Sequence, residues 1–244
     1  MRVETLNANV KVFKQNCSAF GPVERCFCGS CRSVVATIAE SGEVYLAAGC
    51  IEDASIPADL ARAWQTAFTE SAIDEAVSWW PAPAEKRKRG ASRVLTGGCA
   101  CGACRFEAVS GDEFQTQHCY CNLCRRLSGS VAQTWVPVRP EGWKWTKDTT
   151  LELVRTTRHG QRHMCTACGC TMTIVYDSQP DCVWPVAGAI DDDCLPKDVS
   201  AALCRAIHIC CSMMQPWYVL PEDGKEAPSS RPITNGPCSI SQIA

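Results

Sequence analysis

Cysteine spacing constrains this chain more than any other feature. Four short runs concentrate thiols: Cys26, Cys28 and Cys31 in RCFCGSCR; Cys99, Cys101 and Cys104 in GGCACGACRF; Cys119, Cys121 and Cys124 in HCYCNLCRR; and Cys165, Cys168 and Cys170 in CTACGC. Twenty of the 244 residues are cysteine. A chain of this length can bury a core without covalent staples, so the thiols need another reason. The first residues, MRVETLNANVKVFK, hold no apolar run after a basic start. Nor does any stretch of about 18 uninterrupted apolar residues follow. The expectation is no secretory signal, no membrane span and a reducing compartment, the cytoplasm or alternatively the nucleus. In such a compartment spaced thiols favour metal or redox chemistry over a disulfide framework.

The spacing itself favours metal. A disulfide across Cys-x-Cys is strained, because adjacent side chains of an extended segment point apart. A tight turn can instead aim several sulfurs at one point about 2.3 Å away, as tetrahedral zinc requires. We read Cys99, Cys101, Cys165 and Cys168 as one closed four-thiolate zinc site joining distant segments. We read Cys119, Cys121 and Cys124 as a second, three-thiolate site with one position open for water or substrate. Two zinc ions per complete domain follow. Cys104 and Cys170 are the candidates to close the second site instead. Cys28 and Cys31 are candidate ligands whose partners are missing, with Cys26 or Cys17 as recruits. Of the other cysteines, Cys17, Cys50, Cys182, Cys194, Cys204, Cys210 and Cys211 lack ligand spacing and read as small buried apolar residues, and Cys238 reads as a free thiol in the tail. His118 is an acid–base candidate that reads better as a packed histidine. Arg125 and Arg126 follow the last ligand, and their forks suit the carboxylates of a small anionic substrate.

The first and second halves share landmarks in order. A strand over Leu6–Gln15 corresponds to one over Thr149–Thr157, Cys28-Gly-Ser-Cys31 to Cys165-Thr-Ala-Cys168, Ala48-Gly49 to Ala187-Gly188, and Trp79-Trp80 to Trp217-Tyr218. Knuckle and tryptophan are separated by 51 residues in one copy (28 to 79) and 52 in the other (165 to 217). An internal repeat is expected, the first copy lacking any counterpart of Leu95–Trp145. Strands are also expected at Val34–Ile38 and Val44–Ala48, with a short helix at Leu60–Phe68. The domain plan is a partial copy over 1–84, a basic linker over 85–93, a complete domain over 94–222 and a disordered tail over 223–244. Many short strands, Gly/Pro turns and little helical periodicity predict a mainly β fold of small sheets stapled by zinc. The net charge of -2 gives no global reason to bind nucleic acid. The run Lys86–Arg89 is the local exception, read as a solvated tether or as a phosphate-binding or nuclear-import patch. The DDD run at Asp191–Asp193 reads as a solvated loop cap.

These motifs together resemble a known family. The order GGCxCGxxRF, HCxCxxCRRxxGS, CxxCG and AGxxDD, over about Leu95–Pro221, looks like the glutathione-dependent formaldehyde-activating enzymes and centromere protein V. Met164 and Cys170 depart from the residues common at their places. The resemblance implies a β-tent fold, a structural zinc at Cys99, Cys101, Cys165 and Cys168, and a catalytic-type zinc at Cys119, Cys121 and Cys124. It also implies carbon–sulfur lyase chemistry that interconverts glutathione plus formaldehyde with S-hydroxymethylglutathione. The alternative it offers is a non-catalytic, zinc-stapled interaction module, with Lys86–Arg89 binding an acidic polymer.

Overall fold

The computed structural model describes residues 9–17, 21–52, 55–57, 93–110, 117–136, 138, 140–178, 180, 182–194 and 207–218. The basic linker up to Ser92, the helix expected at Leu60–Phe68, Trp79-Trp80, Cys204 and the tail with Cys238 lie outside these residues, and Arg93, expected in the linker, begins the strand that follows. The described chain is mainly β. Strands β1 (Val10–Cys17), β2 (Gly21–Cys28), β3 (Val34–Ala39) and β4 (Val44–Leu46) form one antiparallel sheet in sequence order. Strands β5 (Arg93–Gly98) and β6 (Cys104–Ser110) pair as a hairpin. Next come β7 (Gln117–Cys119), helix α1 (Asn122–Ser128) and β8 (Gln133–Trp135). β9 (Trp143–Asp148) returns to pair with β6. β10 (Leu151–Thr157), β11 (Gly160–Cys165), β12 (Thr171–Tyr176) and β13 (Trp184–Pro185) make the second four-stranded sheet. β14 (Ile207–Ile209) then runs parallel to β7, which pairs with β8 on its other side.

Period-two alternation explains the strands. In β6, Cys104, Phe106 and Ala108 face inward while Arg105, Glu107 and Val109 face out. In β11 the inward positions are Gly160, Arg162 and Met164. Two apolar clusters result, and each surrounds one group of thiols. Leu95, Phe106, Val136, Val138, Met172 and Ile190 pack with Cys99, Cys165 and Cys168. Trp135, Ile174, Tyr176, Trp184 and Val186 pack with Cys119, Cys121 and Cys124.

The two four-stranded sheets share details beyond their order. Each has a register shift next to its Cys-x-x-Cys turn, between Cys26 and Phe27 in β2 and between His163 and Met164 in β11. Each turn is closed by the same pair of backbone bonds. Cys28 N–H donates to Ser33 O and Arg32 N–H to Cys28 O, at 2.9 and 3.0 Å. Cys165 N–H donates to Cys170 O and Gly169 N–H to Cys165 O, also at 2.9 and 3.0 Å. Both fifth residues are left-handed, Arg32 at φ 64 and Gly169 at φ 73. Single-turn 3-10 helices follow at Ala48–Cys50 and Ala187–Ala189.

The first sheet leans on the rest of the chain through side chains and turns. A Cβ at Gly169 would lie 2.6 Å from the Phe27 ring. Arg32 pairs with Glu152 at 2.6 Å, and Gln215 Nε2 donates to Ala48 O at 2.8 Å. Gly49 N–H donates to Gly129 O at 3.3 Å.

Several boundaries differ from the sequence expectation. β1 runs on to Cys17 because Val10–Cys17 pairs residue for residue with β2. β4 stops at Leu46 because Ala48 begins a 3-10 turn. β10 starts at Leu151, since Thr150 sits in a turn and accepts the Thr166 N–H. Asp191 is not a solvated cap. It takes both guanidinium nitrogens of Arg105, one of them at 3.0 Å, and the Thr96 hydroxyl at 2.6 Å. Arg105, with help from Thr96, holds the Asp191 carboxyl below the usual carboxylate range.

Two stability outcomes follow. Gly169→Ala forces a side chain into left-handed backbone and into Phe27, and should cost about 1–2 kcal/mol or more in denaturant melts. Asp191→Asn should cost about 1 kcal/mol near neutral pH. Because the folded carboxyl is the stronger acid, its contribution is complete above the unfolded value near about 4 and fades as pH falls through the folded value. The variant's deficit should therefore shrink on acidification; a deficit independent of pH would refute the charge pairing.

Candidate metal centres

Short, hydrogen-bonded turns position the first group of sulfurs. The β5–β6 turn carries Cys99 and Cys101, with Cys99 N–H donating to Cys104 O at 3.0 Å. The β11–β12 turn carries Cys165 and Cys168. The two turns meet, and the sulfurs of Cys99, Cys101, Cys165 and Cys168 all lie within 4.8 Å of one another. The Cys99–Cys101 sulfur distance is 3.4 Å and the Cys101–Cys165 distance 3.7 Å. These approach the edge of about 3.8 Å expected for a sulfur tetrahedron with 2.3 Å arms. Thr150 Oγ1 stands 3.0 Å from the Cys165 sulfur, and the Cys104 N–H donates to the Cys99 sulfur at 3.2 Å. The donor set fits zinc: all sulfur, buried or nearly so, and no disulfide joins the described cysteines.

The second group forms where β7 gives way to α1. Cys119 ends the strand, Cys121 is the helix N-cap and Cys124 lies on the next turn. The Cys121 sulfur accepts the Cys124 N–H at 3.4 Å. Gly129, left-handed at φ 72, closes the helix by donating to Arg125 O at 2.8 Å. All three sulfurs are buried and lie within 4.8 Å of one another. Among the described residues no fourth His, Cys, Asp or Glu joins them. Three convergent thiols again suit zinc, with one ligand fewer.

Cys104 and Cys170 do not close this second group, as the sequence allowed; both belong beside the first. Cys104 is buried with its sulfur 3.4 Å from Thr150 Oγ1, and burial raises its thiol to about 12. Cys170 accepts the Ala100 N–H at 3.4 Å and Arg25 Nη1 at 3.5 Å. The Cys168 thiol, with Arg25, holds Cys170 down to about 6 against burial. Cys28 and Cys31 sit at the first sheet's turn, where Asn9 Nδ2 approaches the Cys28 sulfur at 3.8 Å and Ser33 Oγ lies 3.2 Å from that of Cys31. Among the described residues they gather no third ligand. Cys50, Cys182, Cys194 and Cys211 are only half-buried, unlike Cys210. Cys50 and Cys194 reach backbone carbonyls, which explains how a thiol sits at the margin of a core.

The arginines separate. Arg125 is 4% exposed and donates to Asn122 Oδ1 at 2.7 Å, whereas Arg126 is exposed. His118 is half-buried, with Nδ1 2.8 Å from Thr134 Oγ1 and its ring 5.2 Å from that of His208. Burial and the His208 charge push it down to about 4, so it is neutral near pH 7, as a packed histidine should be. The residue that the sequence reading missed is Arg162. It is 2% exposed, its guanidinium carbon is 5.6 Å from the centre of the Trp135 ring, and Nη2 reaches the Cys124 sulfur at 3.6 Å. Its one sequence signal is its place three residues before Cys165 in the strand that leads into the turn, and the inward register that buries it shows only in the structure.

Known proteins match the same region. The model of the family described as glutathione-dependent formaldehyde-activating enzyme matches residues 94–212. A Halomonas elongata protein provisionally named a glutathione-dependent formaldehyde-activating enzyme is 34% identical over 113 residues, 43% of this chain and 69% of that protein. The crystal structure of a Rhodobacter sphaeroides protein aligns with a TM-score of 0.34 at 22% identity, over 43% of this chain and 94% of that one. With both sulfur groups inside the matched residues, the chain belongs to the glutathione-dependent formaldehyde-activating enzyme family.

Proposed function

We propose that this chain is a zinc-dependent protein of carbon–sulfur lyase type. Its substrates are small thiol adducts of the kind that glutathione forms with formaldehyde. The observation that carries this reading is the three-sulfur group, buried, convergent and one ligand short of a tetrahedron among the described residues. Zinc held there would supply a Lewis acid that makes a coordinated thiol more acidic near neutral pH. The chain's own residues have distinct parts. Cys119, Cys121 and Cys124 would hold the ion, and Trp135, Ile174 and Trp184 make its surroundings apolar, which would strengthen every charge interaction there. The four sulfurs of Cys99, Cys101, Cys165 and Cys168 would hold a second ion that contributes folding energy. Arg126, exposed beside the last ligand, is the better placed of the two arginines to meet substrate carboxylates; Arg125 braces α1.

The domain plan and location belong to the same proposal. Residues 94–222 form the complete unit and 1–84 a partial second copy, joined by the basic linker, in a reducing compartment such as the cytoplasm. The matching turns of the two four-stranded sheets support the copy relationship.

Substituting Cys121→Ser tests the ligand partition. Serine is itself a good N-cap, so α1 should persist while a sulfur ligand is lost. Metal analysis should find two zinc ions in the parent and one in the variant, with the fold kept by circular dichroism. Two ions in the folded variant would reject the partition. Titrating cobalt-loaded protein with glutathione tests the open position. The sulfur-to-cobalt absorption should change in the parent and not in Cys121→Ser; an unresponsive parent spectrum would count against thiol binding.

A further inference from the structure

A buried guanidinium needs a partner, and Arg162 has an unusual one. It projects inward from β11, is 2% exposed, and its Nε makes no hydrogen bond. Its Nη1 donates to Thr156 Oγ1 and its Nη2 reaches the Cys124 sulfur at 3.6 Å, with the guanidinium carbon 5.6 Å from the Trp135 ring centre. No carboxylate among the described residues pairs with it: the ion pairs there belong to Lys14, Arg32, Arg105, Lys144 and Arg155. Burying a full positive charge against a hydroxyl and an aromatic face alone is costly. The missing negative charge has to come from the sulfur group that Arg162 touches.

The charge count agrees. Three thiolates around a divalent ion leave one net negative charge, set in an apolar cluster where such a charge is expensive. One guanidinium brings the sum to zero. An incoming anionic sulfur would then raise the buried charge to one, rather than two. We propose that Arg162 is a positioning residue, the fixed counter-charge of the Cys119–Cys121–Cys124 group, which sets how firmly that group keeps its ion and admits an anionic thiol. This rests on the three-sulfur group holding a divalent ion.

Arg162→Met and Arg162→Lys test it in the full chain, with zinc retention read by chelator competition. Glutathione binding is read from the cobalt spectrum, and the fold by circular dichroism. Methionine fills similar space without charge; lysine keeps the charge without the fork. The methionine variant should hold the four-sulfur ion at parental affinity and the three-sulfur ion about 10- to 100-fold more weakly, the usual effect of losing a group that supports a ligand. Its glutathione response should weaken too, while the lysine variant stays within a few-fold of the parent. Parental retention of both ions by the folded methionine variant would overturn the counter-charge. So would equal losses in both folded variants, since packing would then be the cause. If the methionine variant fails to fold, the lysine variant decides: retention supports the charge and loss overturns it. A parent chain with no ion at the three-sulfur group would instead defeat the underlying reading, and this inference with it.

Discussion

Sulfur cannot be crowded into an apolar interior as bare anions. That constraint shapes this protein. Each thiol group belongs to an extended apolar cluster. The four-sulfur group joins turns far apart in the chain, whereas the three-sulfur group comes from one six-residue stretch between β7 and α1. A cation at each centre would convert mutual repulsion into cohesion, and the folding of the turns would then be coupled to metal binding. The sheets around them are small, and β8 and β14 have three residues each. Such elements do not stand alone; they depend on what ties their corners.

The two groups divide that labour through their surroundings. The four-sulfur group lies at the meeting of two hairpin turns, with backbone N–H and a threonine hydroxyl directed at its sulfurs. The three-sulfur group lies at the start of a single helix, beside tryptophans and a buried arginine. The first environment is that of a staple. The second is apolar, with Arg162 against one sulfur and no fourth ligand among the described residues, which is what the proposed function calls for. Under the proposed function one small domain would carry a structural and a chemical role, and the role is read from the site rather than the architecture.

Much of this was legible in the order of residues. Cys-x-Cys and Cys-x-x-Cys spacings announced convergent thiols because so few backbone geometries place sulfurs that close, while spacing alone left Cys104 and Cys170 open as members of the second group. The apolar runs at Val34–Ile38 and Val44–Ala48 gave β3 and the start of β4, and the cysteine knuckles gave the turns. What was hidden was long-range. Nothing local shows that Asp191 would find Arg105 and Thr96, or that Arg25 of the first sheet would reach Cys170. Helix α1 was missed because its seven residues are too few for a period of 3.6 to show, and its cap is a cysteine rather than serine or aspartate. Arg162 escaped because an arginine in a strand reads as surface until the register is known.

X-ray absorption at the zinc edge of the purified chain tests the central claim most directly. The account predicts two ions per chain in sulfur-dominated shells averaging between three and four sulfurs each, and a rise toward four when glutathione is added. A single ion, or a shell in which nitrogen or carboxylate oxygen from the protein replaces sulfur, would contradict it.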